Sequence, residues 1–306
     1  MKKNKKFFFN DVNGILLLDK SSGISSNNSL QRVKRIYNAR KAGHTGSLDV
    51  PATGLLPICF GEATKISGYI LGSDKKYYAK CKLGETTTTG DASGDLLEKK
   101  EFPAMKESEL IKILTKFIGN IEQVPPMFSA LKYRGVRLYK FAYKGITVER
   151  KARDIKIYDI NLLNVENDYF EMEVFCSKGT YIRTLVEDIG IKIGCGAHVL
   201  TLRRKETGPF HELDSFTLEK IEEISKKGLD ALFSLLLPMD MALKNIPQIQ
   251  LKKEEALSIS QGRSVVVDGL PDAGELRIYN SLSQFIGMGE VTEDGRVSPK
   301  RLINIA

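Results

Sequence analysis

The stretch "GHTGSLDVPATGLLP", residues 43 to 57, sets a single aspartate, Asp49, between glycines and prolines. Gly43, Gly46 and Gly54 admit backbone angles that other residues resist, while Pro51 and Pro57 remove freedom elsewhere. A loop built this way can hold a carboxylate still, as nucleophilic attack and proton transfer require. The stretch has no Lys-Ser/Thr pair for a nucleotide, no histidine pair for a metal and no G-x-S-x-G for an acyl enzyme. Further on, "GMGEVTEDG" fails the dinucleotide pattern because Thr292 stands where its last glycine belongs. Taken alone, an aspartate after such a turn ordinarily caps a turn or a helix.

Arg183 is the second candidate. It follows "SKGTY" in the first turn of a helix, where the macrodipole disfavours a cation. A nearby carboxylate or phosphate would repair that, and an exposed i,i+4 pair with Glu187 would explain it equally well. Tyr77 is the third, an inward tyrosine whose ordinary fate is core packing. His44 is either a phosphate or base contact or a turn residue, and Lys20 can simply follow its strand into solvent.

The elements that position these residues follow from periodicity. "GILLLDK" (14–20) reads as a buried strand, and Ser25 or Ser26 can cap a helix to about Asn38 with Leu30, Val33 and Tyr37 inward. A short helix near "EATKISGYIL" has Ala63, Ile66 and Ile70 on one side. "KKYYAKCKLG" alternates, placing Tyr77, Ala79, Cys81 and Leu83 on one face. "ETTTTGDASGD" reads as a polar loop, 107–118 as a helix stopped by Gly119, and "VPPMFSALKYRG" as extended chain. A second alternating strand spans 169–176, with Phe170, Met172, Val174 and Cys176 inward, before a helix carrying Ile182, Leu185, Val186 and Ile189. One longer helix is expected over 217–236, ending before Pro238. Beyond Pro247 the texture becomes short strands and frequent turns, the pattern of a small all-β appendage.

Composition narrows the class. With 306 residues, 42% apolar and 27% charged, the chain has the make-up of a globular protein with a real core. Its apolar runs are far too short for a bilayer, and the "FFF" near the N-terminus is too short for a signal-peptide core, so a cytoplasmic protein is expected. Cys59, Cys81, Cys176 and Cys195 form no C-x-x-C pair and are expected as reduced, buried thiols. Cys195 lies three residues before His198, but His44 and His211 supply no second pair, so no metal is expected. The net charge of +8 is uneven: residues 1–50 carry ten Lys/Arg against three Asp, and 132–156 carry nine against two acids. In the second block Tyr133, Tyr139, Phe141 and Tyr143 interleave with the cations. Aromatics that stack bases beside cations that hold phosphates suit a nucleic acid.

Together these residues resemble a known family. "LLLDKSSGISSNNSLQRVKRIYNARKAGHTGSLDVPATGLLPICFGEATK" is similar to the N-terminal half of the TruB family of tRNA pseudouridine-55 synthases. The resemblance continues through "SDKKYYAKCKLG", "QVPPMFSALKYRGVRLY", "CSKGTYIRTLVEDIG" and "GAHVLTLRRKETGPF" and closes with "FIGMGEVTEDGRVSPKRL", similar to a small PUA-type domain. It implies an α+β pseudouridine-synthase fold with a mixed, largely antiparallel sheet and a C-terminal all-β PUA-like barrel, divided as 1–246 and 247–306. It also implies isomerisation of uridine in the tRNA T-arm, with no metal, no organic cofactor and no required protein partner, by a protein expected to be a monomer. The family's essential aspartate falls on Asp49, its active-site tyrosine on Tyr77 and its aspartate-pairing arginine on Arg183. A pocket leucine falls on Leu202, the T-loop-contacting histidine on His44, and Lys20 follows the family's "LDK". Arg183 beside Asp49 is expected to lower its pKa, typically by about 1–3 units.

Two departures stand out. Pro51 lies one place later than the proline of "LDP-x-ATG" relatives, since here the run reads Asp49-Val50-Pro51-Ala52-Thr53-Gly54, and Thr88 and Ser93 stand where many relatives carry acids, although Asp91 remains. If those acids organise the approach to the site, turnover is lower here. Two rival readings use much of the same surface: a non-catalytic tRNA-binding or folding chaperone, which has no need of Asp49, Tyr77 and Arg183 together, and a synthase of this fold acting on another RNA.

Overall fold

The computed structural model describes residues 9–101, 105–271 and 273–304. The first eight residues, which hold four of the ten cations of the N-terminal basic block, lie outside that range. Among the described residues the centre is a ten-stranded mixed sheet. Along its main path run Phe216–Thr217, Gly14–Lys20, Thr53–Phe60, Ala197–Thr207, Lys75–Leu83, Tyr169–Cys176, Arg153–Glu166 and Gly119–Gln123. Two of the junctions are parallel, Gly14–Lys20 on Phe216–Thr217 and Thr53–Phe60 on Ala197–Thr207. The remaining junctions on that path are antiparallel.

Sequence texture follows burial. "GILLL" and "GLLPICF" are nearly unbroken apolar runs because both faces of their strands are covered. On one face Leu16, Leu18, Leu56 and Ile58 meet Leu30 and Val33 of the Ser26–Ile36 helix. On the other, Ile15, Leu17 and Cys59 meet Ala63, Ile66 and Ile70. The Lys75–Leu83 and Tyr169–Cys176 strands instead alternate. Ala79, Cys81, Met172 and Val174 pack under Leu185, Val186 and Ile189 of the Ile182–Ile193 helix. Their outer face carries Lys80–Glu171 and Lys76–Glu173 pairs at 3.3 and 3.4 Å, exposed enough to add little stability.

Three elements depart from expectation. The single helix over 217–236 is two, Leu218–Ser225 and Leu229–Phe233, divided at Gly228. Gly228 has φ 107°, which a continuing helix cannot contain. The break lets Ile221 and Leu232 enter one core, where the Tyr37 hydroxyl donates to the Leu232 carbonyl at 2.9 Å. The polar stretch after Leu83 is a hairpin, Glu85–Thr87 on Leu96–Lys99, with Asp91 buried in its connection. The C-terminal segment contains strands as expected, Gln248–Gln250, Gly274–Tyr279, Phe285–Val291 and Val297–Leu302, in one four-stranded sheet. It also contains a helix, Lys253–Ser260, so it is not all β. Glu255 caps that helix by accepting from the Lys252 backbone N–H at 2.7 Å. Met288 and Ile303 of this segment join the cluster of Ile15, Leu17 and Cys59.

Candidate active site

The Asp49 loop is fixed from both sides. Leu48, just before Asp49, donates its N–H to Ser26 Oγ at 2.8 Å, and that hydroxyl donates back to the Leu48 carbonyl at 3.0 Å. Val50, just after it, accepts from Gly23 N–H at 2.9 Å and from Lys20 Nζ at 3.2 Å. Both anchors lie at the end of the Gly14–Lys20 strand and the start of the following helix, so the buried core fixes where Asp49 stands. Lys20 does not follow its strand into solvent. It is 1% exposed, and its ammonium also donates to the Ser21 and Ile24 carbonyls at 2.9 and 2.7 Å. Burial pulls its pKa down to about 8 against the opposing attraction of Asp49.

The loop's exit depends on Gly54. Its φ is 98°, and a Cβ there would come within 2.8 Å of Arg204 N and against the Arg204 carbonyl. Gly54→Ala is therefore expected to destabilise the protein by more than about 2 kcal/mol. A urea midpoint unchanged from wild type would contradict this.

Arg183 resolves its two readings. Its residue is 3% exposed, so it is no surface partner of Glu187. Nε stands 2.9 Å from Asp49 Oδ2 and 3.7 Å from Asp91 Oδ2. Nη1 donates to the Thr89 carbonyl at 2.5 Å and Nη2 to the Phe128 carbonyl at 2.7 Å. One guanidinium thus ties together the Asp49 loop, the hairpin connection and the Phe128 segment, and two carboxylates answer the helix-end cost. Asp91 is itself held by the Thr89 hydroxyl at 2.7 Å and by Ser93 N–H and Oγ at 3.0 and 2.5 Å. Ser93, which stands where many relatives carry an acid, serves here to orient the remaining acid.

The Asp49 side chain keeps 43% of its exposure, opening on empty space, while the rest of the carboxyl is crowded by protein. That crowding pushes its pKa above the ordinary carboxylate value. Arg183 pulls it down, Asp91 pushes it up, and Lys20 pulls it down, without cancelling the rise. Arg183 lowers the Asp49 pKa, as its placement led one to expect, but burial outweighs it and the pKa stays raised.

Beside Asp49 lies a small recess with Pro51, Ala52, Val199, Leu200 and Leu202 as apolar walls and Arg183 and Asp91 at its polar end. A wider cleft of about 1440 Å³ shares Asp49, Pro51, Asp91 and Arg183 with it and is lined further by His44, Phe128, Arg137, Tyr139 and Tyr143. Asp49, Arg183 and Leu202 thus meet at the recess, and His44 faces the cleft. Among the described residues His44 Nδ1 has no hydrogen-bond partner, and burial, with Arg204 and Arg137 adding to it, holds its pKa below the usual histidine value. Tyr77 is inward, as alternation requires, but it is 8% exposed and does not line the recess. Its pKa is raised by burial first, while Arg204 opposes that rise.

Reading by residue type missed Arg204, which is fully buried. A signal was present: Arg203 and Arg204 are neighbours on a strand, so their side chains take opposite faces and one arginine must turn inward. Among the described residues no cluster of His, Cys, Asp and Glu is arranged to hold a metal ion. The arrangement can present an aimed carboxylate to a flat group brought against the apolar walls of the recess, with cations and aromatics of the wider cleft to hold what that group is attached to.

Comparison with known proteins gives the class first. The chain superposes over 100% of its length on 94% of a chain in the structure of an H/ACA RNP bound to a substrate RNA containing 2'-deoxyuridine, with TM-score 0.74 and 21% identity. It also covers 92% of a chain in a Cbf5-Nop10-Gar1 complex at TM-score 0.73 and 23% identity. These likenesses carry the fold, which is that of the pseudouridine synthases. Family models then match in order: TruB family pseudouridylate synthase, N-terminal domain, over residues 34–182; tRNA pseudouridylate synthase B C-terminal domain over 183–244; and pseudouridine synthase II TruB, C-terminal, over 247–303. The chain is 52% identical over 303 residues to tRNA pseudouridine synthase B of Nitrosococcus oceani, covering 99% of this chain and 98% of the relative. It is 50% identical over 294 residues to the same-named protein of Stutzerimonas stutzeri, covering 96% of each. The chain belongs to the TruB family of pseudouridylate synthases.

Proposed function

We propose that the protein converts uridine 55 in the T-loop of tRNA to pseudouridine. In this isomerisation the bond from ribose C1' to uracil N1 breaks, the base turns, and C1' bonds to C5. The proton leaving C5 is balanced by one gained at nitrogen, so no cofactor is consumed. The observation that carries the reading is the Asp49–Arg183 pair at 2.9 Å beside an apolar recess. A uridine inside a folded loop must be flipped out to reach it, at a cost of a few kcal/mol. The uracil would lie against Leu202, with Tyr77 supporting it and His44 taking up the space the base leaves. Phe128 and Tyr143, edge to face at 5.5 Å, and Arg137 would hold the displaced strand. Lys20 would act on the substrate indirectly, through the Val50 carbonyl and through its charge on Asp49. Residues 247–306 would add RNA contacts as a separate unit, and the protein would work as a monomer in the cytoplasm without a protein partner.

The direct test follows from the balance of atoms. An unmodified tRNA transcript labelled with tritium at uracil C5 should release tritium to water in step with isomerisation. Binding without release would favour the RNA-chaperone reading.

The pH dependence follows from Asp49. The reaction needs its ionised form, so single-turnover rate should be lost as pH falls through its pKa, and that loss should set in above the ordinary aspartate value of about 3.9. A rate flat down to about pH 4 would contradict the assignment.

A further inference from the structure

Arg204 presents a cation for which the proposed chemistry has no use. It lies on the Ala197–Thr207 strand and is 0% exposed, and among the described residues it makes no ion pair with a carboxylate. A buried charge without a counter-ion is costly, and among the described residues Nη1 of Arg204 has no hydrogen-bond partner, while its other donors are committed. Nε donates to the Leu55 carbonyl at 2.7 Å and Nη2 to the Gly46 carbonyl at 3.2 Å. Gly46 and Leu55 are the two ends of the loop that carries Asp49 at its middle. On the neighbouring strand Arg204 is in register with Tyr77, and its charge opposes the rise of the Tyr77 pKa. Its field reaches further: it pushes down the pKa of Lys20, His44 and Lys75, each of them already lowered by burial.

We infer that Arg204 is a positioning residue for the isomerisation, clamping both ends of the Asp49 loop. The inference rests on the proposed uridine reaction. Arg204 reaches neither cavity that Asp49 lines, so it acts through the loop and not on RNA. A planar fork can bridge two carbonyls on separate segments, whereas a lysine ammonium at the same site reaches them as a single point. Displacement of a reacting group by about 1 Å is enough to lose about 10²-fold in rate.

The experiment measures, for wild type, Arg204→Lys and Arg204→Met, the single-turnover rate on unmodified tRNA transcript and the Kd for the same transcript. Arg204→Met should slow conversion by about 10²-fold with Kd within about threefold of wild type, and Arg204→Lys should recover part of the rate. A residue that served the fold alone would lower binding and rate together, because a disordered loop also lines the RNA cleft. Should Arg204→Met fail to fold, the lysine variant decides: a reduced rate at unchanged Kd supports the clamp. Rates equal to wild type in either folded variant, or rate and affinity falling in parallel, would overturn it. No conversion by wild type itself would instead remove the uridine reading on which the clamp depends.

Discussion

Asp49→Asn is expected to abolish conversion, by about 10⁴-fold or more, the scale on which loss of a reacting group falls in other enzymes. It should do so without weakening the protein. The amide has nearly the carboxylate's shape, its oxygen can still accept from Arg183 Nε, and the Ser26 and Val50 anchors of the loop do not involve the Asp49 side chain. The sign of the stability change follows from the raised pKa. A carboxyl whose folded pKa lies above its unfolded one binds its proton more tightly in the fold, so stability falls as pH rises across that window. At neutral pH the ionised Asp49 therefore weighs against folding, and a neutral asparagine relieves it, together with the repulsion from Asp91. Urea unfolding at pH 7 should show the variant at least as stable as wild type, and tRNA binding should persist. A variant clearly less stable than wild type would mean that Asp49 is a structural partner of Arg183 first.

Arg183→Met should be damaging in both respects. It removes donors to Asp49, to Thr89 and to Phe128 at once, and leaves Asp49 and Asp91 facing each other without a cation between them. Removing one member of a buried pair typically costs about 3–5 kcal/mol, and the partial exposure of Asp49 argues for the lower end of that range. Conversion should fall about 10²–10³-fold as the carboxylate loses its aim. The acid limb of the rate should also move to higher pH, because the strongest influence lowering the Asp49 pKa is gone. Arg183→Lys keeps a charge but cannot reach three segments, so it should fall between wild type and methionine. An acid limb unmoved in Arg183→Met, with stability intact, would separate Arg183 from Asp49 altogether.

What the sequence made legible was local. Alternation placed Tyr77 inward with Ala79 and Cys81, because a strand with one covered face declares it residue by residue. The unfavourable helix position of Arg183 called for an anion, and two stand there. Quantities that depend on sums over distance were not legible. The Asp49 pKa is the balance of burial against several charges, and a pairwise view of Arg183 shows only its lowering part. Lys20 ends a strand just where solvent would begin, yet a turn folds back and encloses it with three carbonyls. Arg204 was hidden for a related reason: alternation shows that Arg203 and Arg204 part, but only the packed loop shows which is enclosed. Gly228 was visible as a glycine within an apolar period, and only its left-handed φ reveals that two short helices pack better than one long one.

The most direct measurement maps pseudouridine base by base in an unmodified tRNA transcript after incubation with wild-type protein and, separately, with Asp49→Asn. Pseudouridine at uridine 55 with wild type, and at no position with the variant, is the expected result. Modification at 55 by both proteins, or tight binding with no modified base from either, would contradict an account in which the Asp49 carboxylate performs the isomerisation.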